Sequence, residues 1–310
     1  MAKYVGRRLL ALIPTLLFIS LVTFLMAQLA PGDPIMLMAG EKATPETIER
    51  LRSQYGLDKP LHIQYIDFVQ NAVRFDFGLS FYSKRPVSEV IVQGFGPTMT
   101  LALIAILIAS LLGISLGSAA AYYKEKPLDR IAVAVALLGV TVPNFVLAPL
   151  LALIFSVRLG WLPVAGWDGA EYFVLPAIVL AARPMAMIAR LARTAMTDAL
   201  SQDYIRTAYA KGLTAREVIW RHALRNSMVV TLTGIGNSFG FLLTGSFIVE
   251  TAFGVPGLGY KGVQAIQQRD FPVIQATTLL FATLFVLVNL TVDLLYHWLD
   301  PRIRQGGEKS

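Results

Sequence analysis

The sequence predicts an all-α integral membrane protein with about six transmembrane helices, and three observations carry that expectation. Of 310 residues, 55% are hydrophobic and only 15% charged, with a mean hydropathy of +0.59; soluble domains hold about 25% charged residues. The apolar residues are gathered into runs that match a hydrocarbon core of ~30 Å, which takes about 20 helical residues to cross. Lys and Arg cluster between alternate runs, as expected when cytoplasmic loops keep the positive charge.

The first run is Leu9–Leu29. Lys3, Arg7 and Arg8 before it resemble the start of a signal peptide, but the run is too long for one and no small-x-small cleavage site follows. It reads as a retained transmembrane helix ended by the turn "PGDP" (31–34). A long external loop, 31–97, comes next. In it "TPETIERLRSQYGLDKP" predicts a short helix with Thr44 as cap, Pro45 at its first position, Glu46 and Glu49 near its positive end and Gly56 as its stop. "LHIQYIDFVQNAV" predicts a second amphipathic helix. A packed external cap is the favoured reading of this loop, ahead of a docking surface.

Five more runs follow: Thr98–Tyr122, Ile131–Val157, Tyr172–Leu191, Met228–Val249 and Ala276–Trp298. Pro143 and Pro149 predict a kink or an irregular stretch in the second of these. Pro176, Arg183 and Pro184 interrupt the third. The basic residues of 124–130, 190–225 and 302–309 fall on the same side as the N-terminus, so both termini are expected inside. The domain plan is therefore an N-terminal helix (1–30), the external loop (31–97), a transmembrane core (98–299) with a cytoplasmic loop at 192–227, and a tail (300–310) whose end, "GGEKS", reads as disordered.

Several function classes are excluded. Without cysteine there is no thiolate metal site or Cys nucleophile. His62, His222 and His297 are scattered, and neither HExxH nor GxSxG occurs. "GVPGLGYKG" (254–262) lacks the ending of a Walker A loop, so no nucleotide site is expected in this chain. No catalytic residue, metal or cofactor is predicted, and the net charge of +7 reflects cytoplasmic loops rather than nucleic-acid binding. Charges within the runs are few. Arg183 and Asp293, with Asn289 one turn before it, fit helix–helix hydrogen bonds or interfacial positions better than a proton relay. Glu250 is expected at the outer interface.

The polar stretch "DYIRTAYAKGLTAREVIW" (203–220) holds the strongest local signal. Asp203 is expected to cap a helix that stops at Gly212, the position needing positive φ. Thr214 and Glu217 then form a capping box, with Leu213 and Val218 as its hydrophobic staple. Thr207, Ala208 and Ala210 are small, and Arg206 and Lys211 are basic. Small residues suit a helix seated in a groove, and basic ones suit acidic groups there. The residues alone favour a loop lying on anionic headgroups, with partner docking second.

This loop, with "HALRN" (222–226), resembles the EAA coupling loop of binding-protein-dependent ABC import permeases. The spacing sets Arg206-Thr207-Ala208 on the EAA triplet and Gly212 on its glycine. Arg and Thr stand in place of Glu and the first Ala, and Arg225 stands where Pro is usual; these departures resemble the dipeptide/oligopeptide subfamily. "PGDP", "YGLDKPLHIQY", "FDFGLS" with Phe75 where Gly is commoner, "PGLG", "QRDFPVIQ" and "NLTVDLLYHWLDPRIR" extend the likeness to a B-type permease over nearly the whole chain. The resemblance implies a type I importer permease fold in a bacterial inner membrane, a heterodimer with a second permease, two ATP-binding subunits and an external solute-binding protein. It implies that Tyr204, Arg206, Thr207, Ala208, Lys211, Gly212, Leu213, Thr214 and Glu217 shape and dock the coupling loop, while ATP is bound by the partners. Asn237, Ser238 and Thr244 are candidates for the pathway. Peptides are the expected substrate; glutathione or nickel is the alternative within the family. A proton-coupled secondary transporter, or a scaffold anchoring a soluble partner, is the alternative outside it.

Overall fold

The structure is a computed structural model and describes residues 2–29, 35–36, 44–54 and 56–299. The turn expected at 31–34 and the disordered tail expected at 306–310 lie outside the described residues. The described chain is almost wholly helical. By length and composition five of its helices can cross a membrane, or six if one bent pair counts as a single span. Its contacts divide it into two units, residues 1–98 with 256–284 and residues 99–255 with 285–310.

In the first unit, helix α1 (Ala2–Leu29) is followed by α2 (Pro45–Gln54) and α3 (Leu61–Val73). Both short helices form where expected. The Thr44 hydroxyl accepts the Thr47 N–H at 3.3 Å, and Gly56 takes φ +65° beyond the end of α2. Helix α3 lies against α1 through the Ser20–Tyr65 hydroxyl pair (2.9 Å) and the Phe24 ring beside Tyr65 and Phe68. Phe75 holds φ +60°. A left-handed residue with a Cβ costs about 1–2 kcal/mol, which is the physical reason glycine suits this position better. The same unit holds the first turns of α4 (Val87–Tyr122), helix α11 (Leu258–Gln268) and the first part of α12 (Phe271–Leu299). Buried Asp270 ties the loop before α4 to the start of α12: its carboxylate accepts the Phe81 N–H (3.0 Å), the Tyr82 N–H (3.4 Å) and the Ser80 hydroxyl.

Helix α4 starts eleven residues ahead of the expected run and passes through Pro97. Its first turns mix Val87, Val90, Ile91 and Val92 with Ser88, Glu89 and Gln93, and Gly94, Gly96 and Pro97 read as a break before the uninterrupted apolar run. Helix α11 is likewise amphipathic and too short to register as a span.

The second unit holds the rest of α4, α5 (Pro127–Thr141), α6 (Asn144–Leu151) with a π-helical continuation Ala152–Arg158, α7 (Glu171–Leu200), α8 (Asp203–Ala210), α9 (Ala215–Glu217), α10 (Leu224–Phe253) and the rest of α12. The expected irregularity is a break of 104° between α5 and α6. Val142, forced out of the helical region by the following proline, has ψ 116°, and Pro143 begins the next helix with ψ 147°. Helix α7, by contrast, is continuous over 30 residues although it contains Pro176 and Pro184. Both prolines are buried, in the setting where neighbouring protein tolerates such residues. Close approach is bought by small residues: a Cβ on Gly117 would meet the Ala189 carbonyl at 2.3 Å, and one on Gly139 the Ala182 carbonyl at 2.8 Å.

Glu250, expected at the outer interface, is covered by its own chain. It is fully buried in α10, because α10 runs on to Phe253 and the 160–170 loop folds over its end, donating the Gly166 N–H to the Phe253 carbonyl at 2.9 Å.

Candidate coupling site

The stretch between α7 and α10 folds as helix, stop and restart. Gln202, extended at ψ 152°, is the residue before α8; Asp203, expected as the cap, is the first helical residue and makes no capping bond there. It still places its carboxylate at the positive helix end. The stop is a complete Schellman motif. Gly212 takes φ +81°. Its N–H bonds the Tyr209 carbonyl at 2.9 Å and the Leu213 N–H bonds the Ala208 carbonyl at 3.3 Å.

The restart is the expected capping box. The Glu217 N–H reaches the Thr214 hydroxyl at 3.4 Å, and the Glu217 carboxylate accepts the Thr214 N–H (3.0 Å) and hydroxyl (2.9 Å). After α9 the ladder widens to a π-helical stretch, Val218–Ala223, before α10. Losing a cap of this kind costs about 1 kcal/mol. Thr214→Ala is therefore expected to lower the unfolding temperature of the detergent-solubilised chain slightly, while Thr214→Ser leaves it in place; differential scanning fluorimetry checks this.

Burial sorts the site residues into two sets. Ile205, Ala208, Val218, Ala223, Met196, Ala199 and Ala121 form one buried cluster, with Leu213 packed on it. Ala208 thus turns inward and anchors α8 to its own chain rather than lining the outer face. Leu213 and Val218, flanking the cap, meet in this cluster as the staple requires. Tyr204, Arg206, Thr207, Lys211 and Gly212 are exposed. Arg206 keeps only a loose 3.6 Å contact with Asp203, both side chains being almost fully exposed, so its charge is available to a partner. Tyr204 accepts from the Asn226 amide at 3.1 Å, which links α8 to the start of α10. Sequence reasoning missed Ile205, the main apolar anchor; its helical spacing from Ala208 was the available signal.

A second feature was missed. Buried Asp129 in α5 takes a bidentate grip from Arg193 in α7, Nε at 2.7 Å and Nη2 at 2.8 Å, and also accepts the Glu125 N–H at 3.0 Å. In the sequence Arg193 counts only as one more cytoplasmic cation. Of the pathway candidates, Asn237 is exposed on α10, Thr244 is exposed and bonded to the Phe241 carbonyl, and Ser238 is buried and bonded to the Gly234 carbonyl. Among the described residues no cluster of His, Asp and Glu could hold a metal ion.

The family models decide what this arrangement belongs to. That of the binding-protein-dependent transport system inner membrane component matches residues 109–305, and that of the N-terminal part of such membrane components matches residues 1–102. The chain belongs to this family. It is a multi-span permease subunit of a bacterial ABC importer, resident in the inner membrane and not itself the ATPase. Glutathione transport system permease proteins GsiC of Escherichia coli (strain K12) and of Salmonella typhi are each 45% identical to it over 304 residues, covering 98% of this chain and 99% of theirs. Two solved structures share the fold. An amino acid ABC transporter aligns with TM-score 0.52 at 20% identity, over 69% of this chain and 94% of that one. The inward-facing MetNI methionine ABC transporter aligns with TM-score 0.58 at 16% identity, over 68% and 96%. The permease thus has the type I importer fold.

Proposed function

We propose that this permease imports short peptides, glutathione among them, as one half of a heterodimeric pathway whose other half is a second, similar permease. The stop and restart at Gly212 carries the reading. It presents Arg206, Thr207 and Lys211 on a short helix that Ile205 and Ala208 anchor from behind. Such a helix suits a groove with acidic groups on an ATPase subunit, better than the headgroup surface that the residues alone favour. ATP is bound by those subunits; nucleotide-driven closure pulls on α8, and the pull reaches the spans through α7 and α10. The relatives named as glutathione permeases support the substrate class, and nickel loses ground to it.

The test is reconstitution of the permease with its second permease, ATPases and binding protein in proteoliposomes. ATP-dependent uptake of glutathione or a short peptide, with substrate-stimulated ATP hydrolysis, is the expected result. Uptake by this chain alone under a proton gradient overturns the reading.

A further inference from the structure

Arg183 is a cation in an expensive place. It lies within the apolar run 172–191 of α7, roughly 17 Å along the axis from Tyr172 and roughly 12 Å from Leu191, so it sits near mid-membrane if that run spans. It is exposed rather than tucked between helices. Among the described residues no carboxylate pairs with it; its one neighbour of note is the Phe241 ring, with the guanidinium carbon 4.8 Å from the centroid. A charge at that depth needs a counter-charge or water, and a ring face supplies only part of this.

The surroundings provide room for a partner. Arg183 and Phe241 line a cavity of about 300 Å³ together with Pro143 and Asn144 from the α5–α6 break, Leu180 and Ile248. Irregular backbone is tolerated at membrane depth where it lines a cavity or is buried in protein, and here the break and the cation share one cavity. Apart from Arg183 and Asn144 the lining side chains are apolar, so a guanidinium fork in this place favours one chemistry: a carboxylate held bidentately.

We propose that Arg183, braced by Phe241 at the α5–α6 break, receives the C-terminal carboxylate of the substrate during its passage. This rests on the peptide-import reading above, because short peptides and glutathione alike carry a free carboxylate at the C-terminus. The site is a way-station: the single fork gives an anionic group somewhere to stop in a low-dielectric path without holding it fast.

The test uses the complete transporter in proteoliposomes and two probes, glutathione and its C-terminal amide. Arg183→Gln is expected to cut glutathione uptake about tenfold, the loss of one charge-assisted contact, while uptake of the amide changes little. Arg183→Lys keeps part of the difference. The same binding protein serves wild type and variant, so its own preference cancels in the ratio. Where it refuses the amide, the rise in unfolding temperature that each probe at millimolar concentration gives the permease–ATPase assembly replaces uptake, and Arg183→Gln should reduce the rise given by glutathione and leave that given by the amide. An equal loss for both probes, or loss of assembly, overturns the inference in favour of an ion pair between Arg183 and the second permease. Unchanged uptake of both also overturns it. Wild-type transporter that takes up neither probe and does not respond in ATP hydrolysis sinks the peptide-import reading itself, and this inference with it.

Discussion

Gly212→Pro is expected to leave the transporter assembled but to lower substrate-stimulated ATP hydrolysis and uptake by at least about tenfold. Proline holds φ near −65°, whereas Gly212 sits at +81°, so the left-handed stop cannot form. The Gly212 N–H to Tyr209 bond disappears outright, and the Leu213 bond to Ala208 loses its geometry. The proline Cδ also takes the place of the Gly212 N–H and meets the Tyr209 carbonyl, whereas nothing lies within 4 Å of a Cβ built at Gly212, so an alanine there is strained only by its backbone conformation. Ile205 and Ala208 stay anchored on one side and the Thr214–Glu217 box on the other, but the angle between them changes. A docking helix aimed wrongly cannot transmit closure, and a misplacement of about 1 Å far from the chemistry can cost a hundredfold. Gly212→Ala, forced into the left-handed region at about 1–2 kcal/mol, should fall between wild type and proline. ATP hydrolysis with and without loaded binding protein, beside size-exclusion of the assembly, checks both. Unchanged coupling in Gly212→Pro would remove the docking role from this loop.

The hinge was legible because each of its parts is a local rule. A glycine at the residue needing positive φ, a Thr-x-x-Glu box and a flanking apolar pair all act within a few residues, and all three formed. What the sequence concealed depends on tertiary neighbours. Ala208 looked like a surface residue of a small-residue docking face, yet its orientation follows from Met196, Val218 and Ala223. Hydropathy places Glu250 at the end of a run and says nothing of its burial, which comes with a loop about 85 residues earlier that covers that end. Pro176 and Pro184 looked like breakers of α7; inside a helix bundle they are absorbed, while Pro143 does break its span. The difference lies in what surrounds each proline, which a single sequence does not report. Even so, the helical runs were found nearly in place, since a span's length is fixed by the bilayer rather than by its neighbours.

The ion pair behind the loop supports the second large prediction. Arg193→Gln is expected to destabilise the chain by about 2–4 kcal/mol, somewhat below the usual cost of stranding a buried charge because the Arg193 side chain remains 31% exposed. Asp129, 7% exposed, would keep only the Glu125 N–H. That N–H also fixes Glu125 at φ +67°, a strained conformation for a residue with a Cβ. Removing the carboxylate by Asp129→Ala should release that turn as well and cost at least as much. Asp129→Asn with Arg193→Gln together should cost less than the sum of the single changes, since neither then leaves an uncompensated charge. Thermal unfolding of the purified chain in detergent reads all of these. Uptake should fall further than stability alone explains. The pair joins the start of α5 to the stretch of α7 that leads, within two turns, into the buried cluster under α8, so a loosened clamp lets the coupling helix move without moving the spans. Strict additivity of the two single changes would show that the charges act independently, and the clamp would then be only a pair of solvated neighbours.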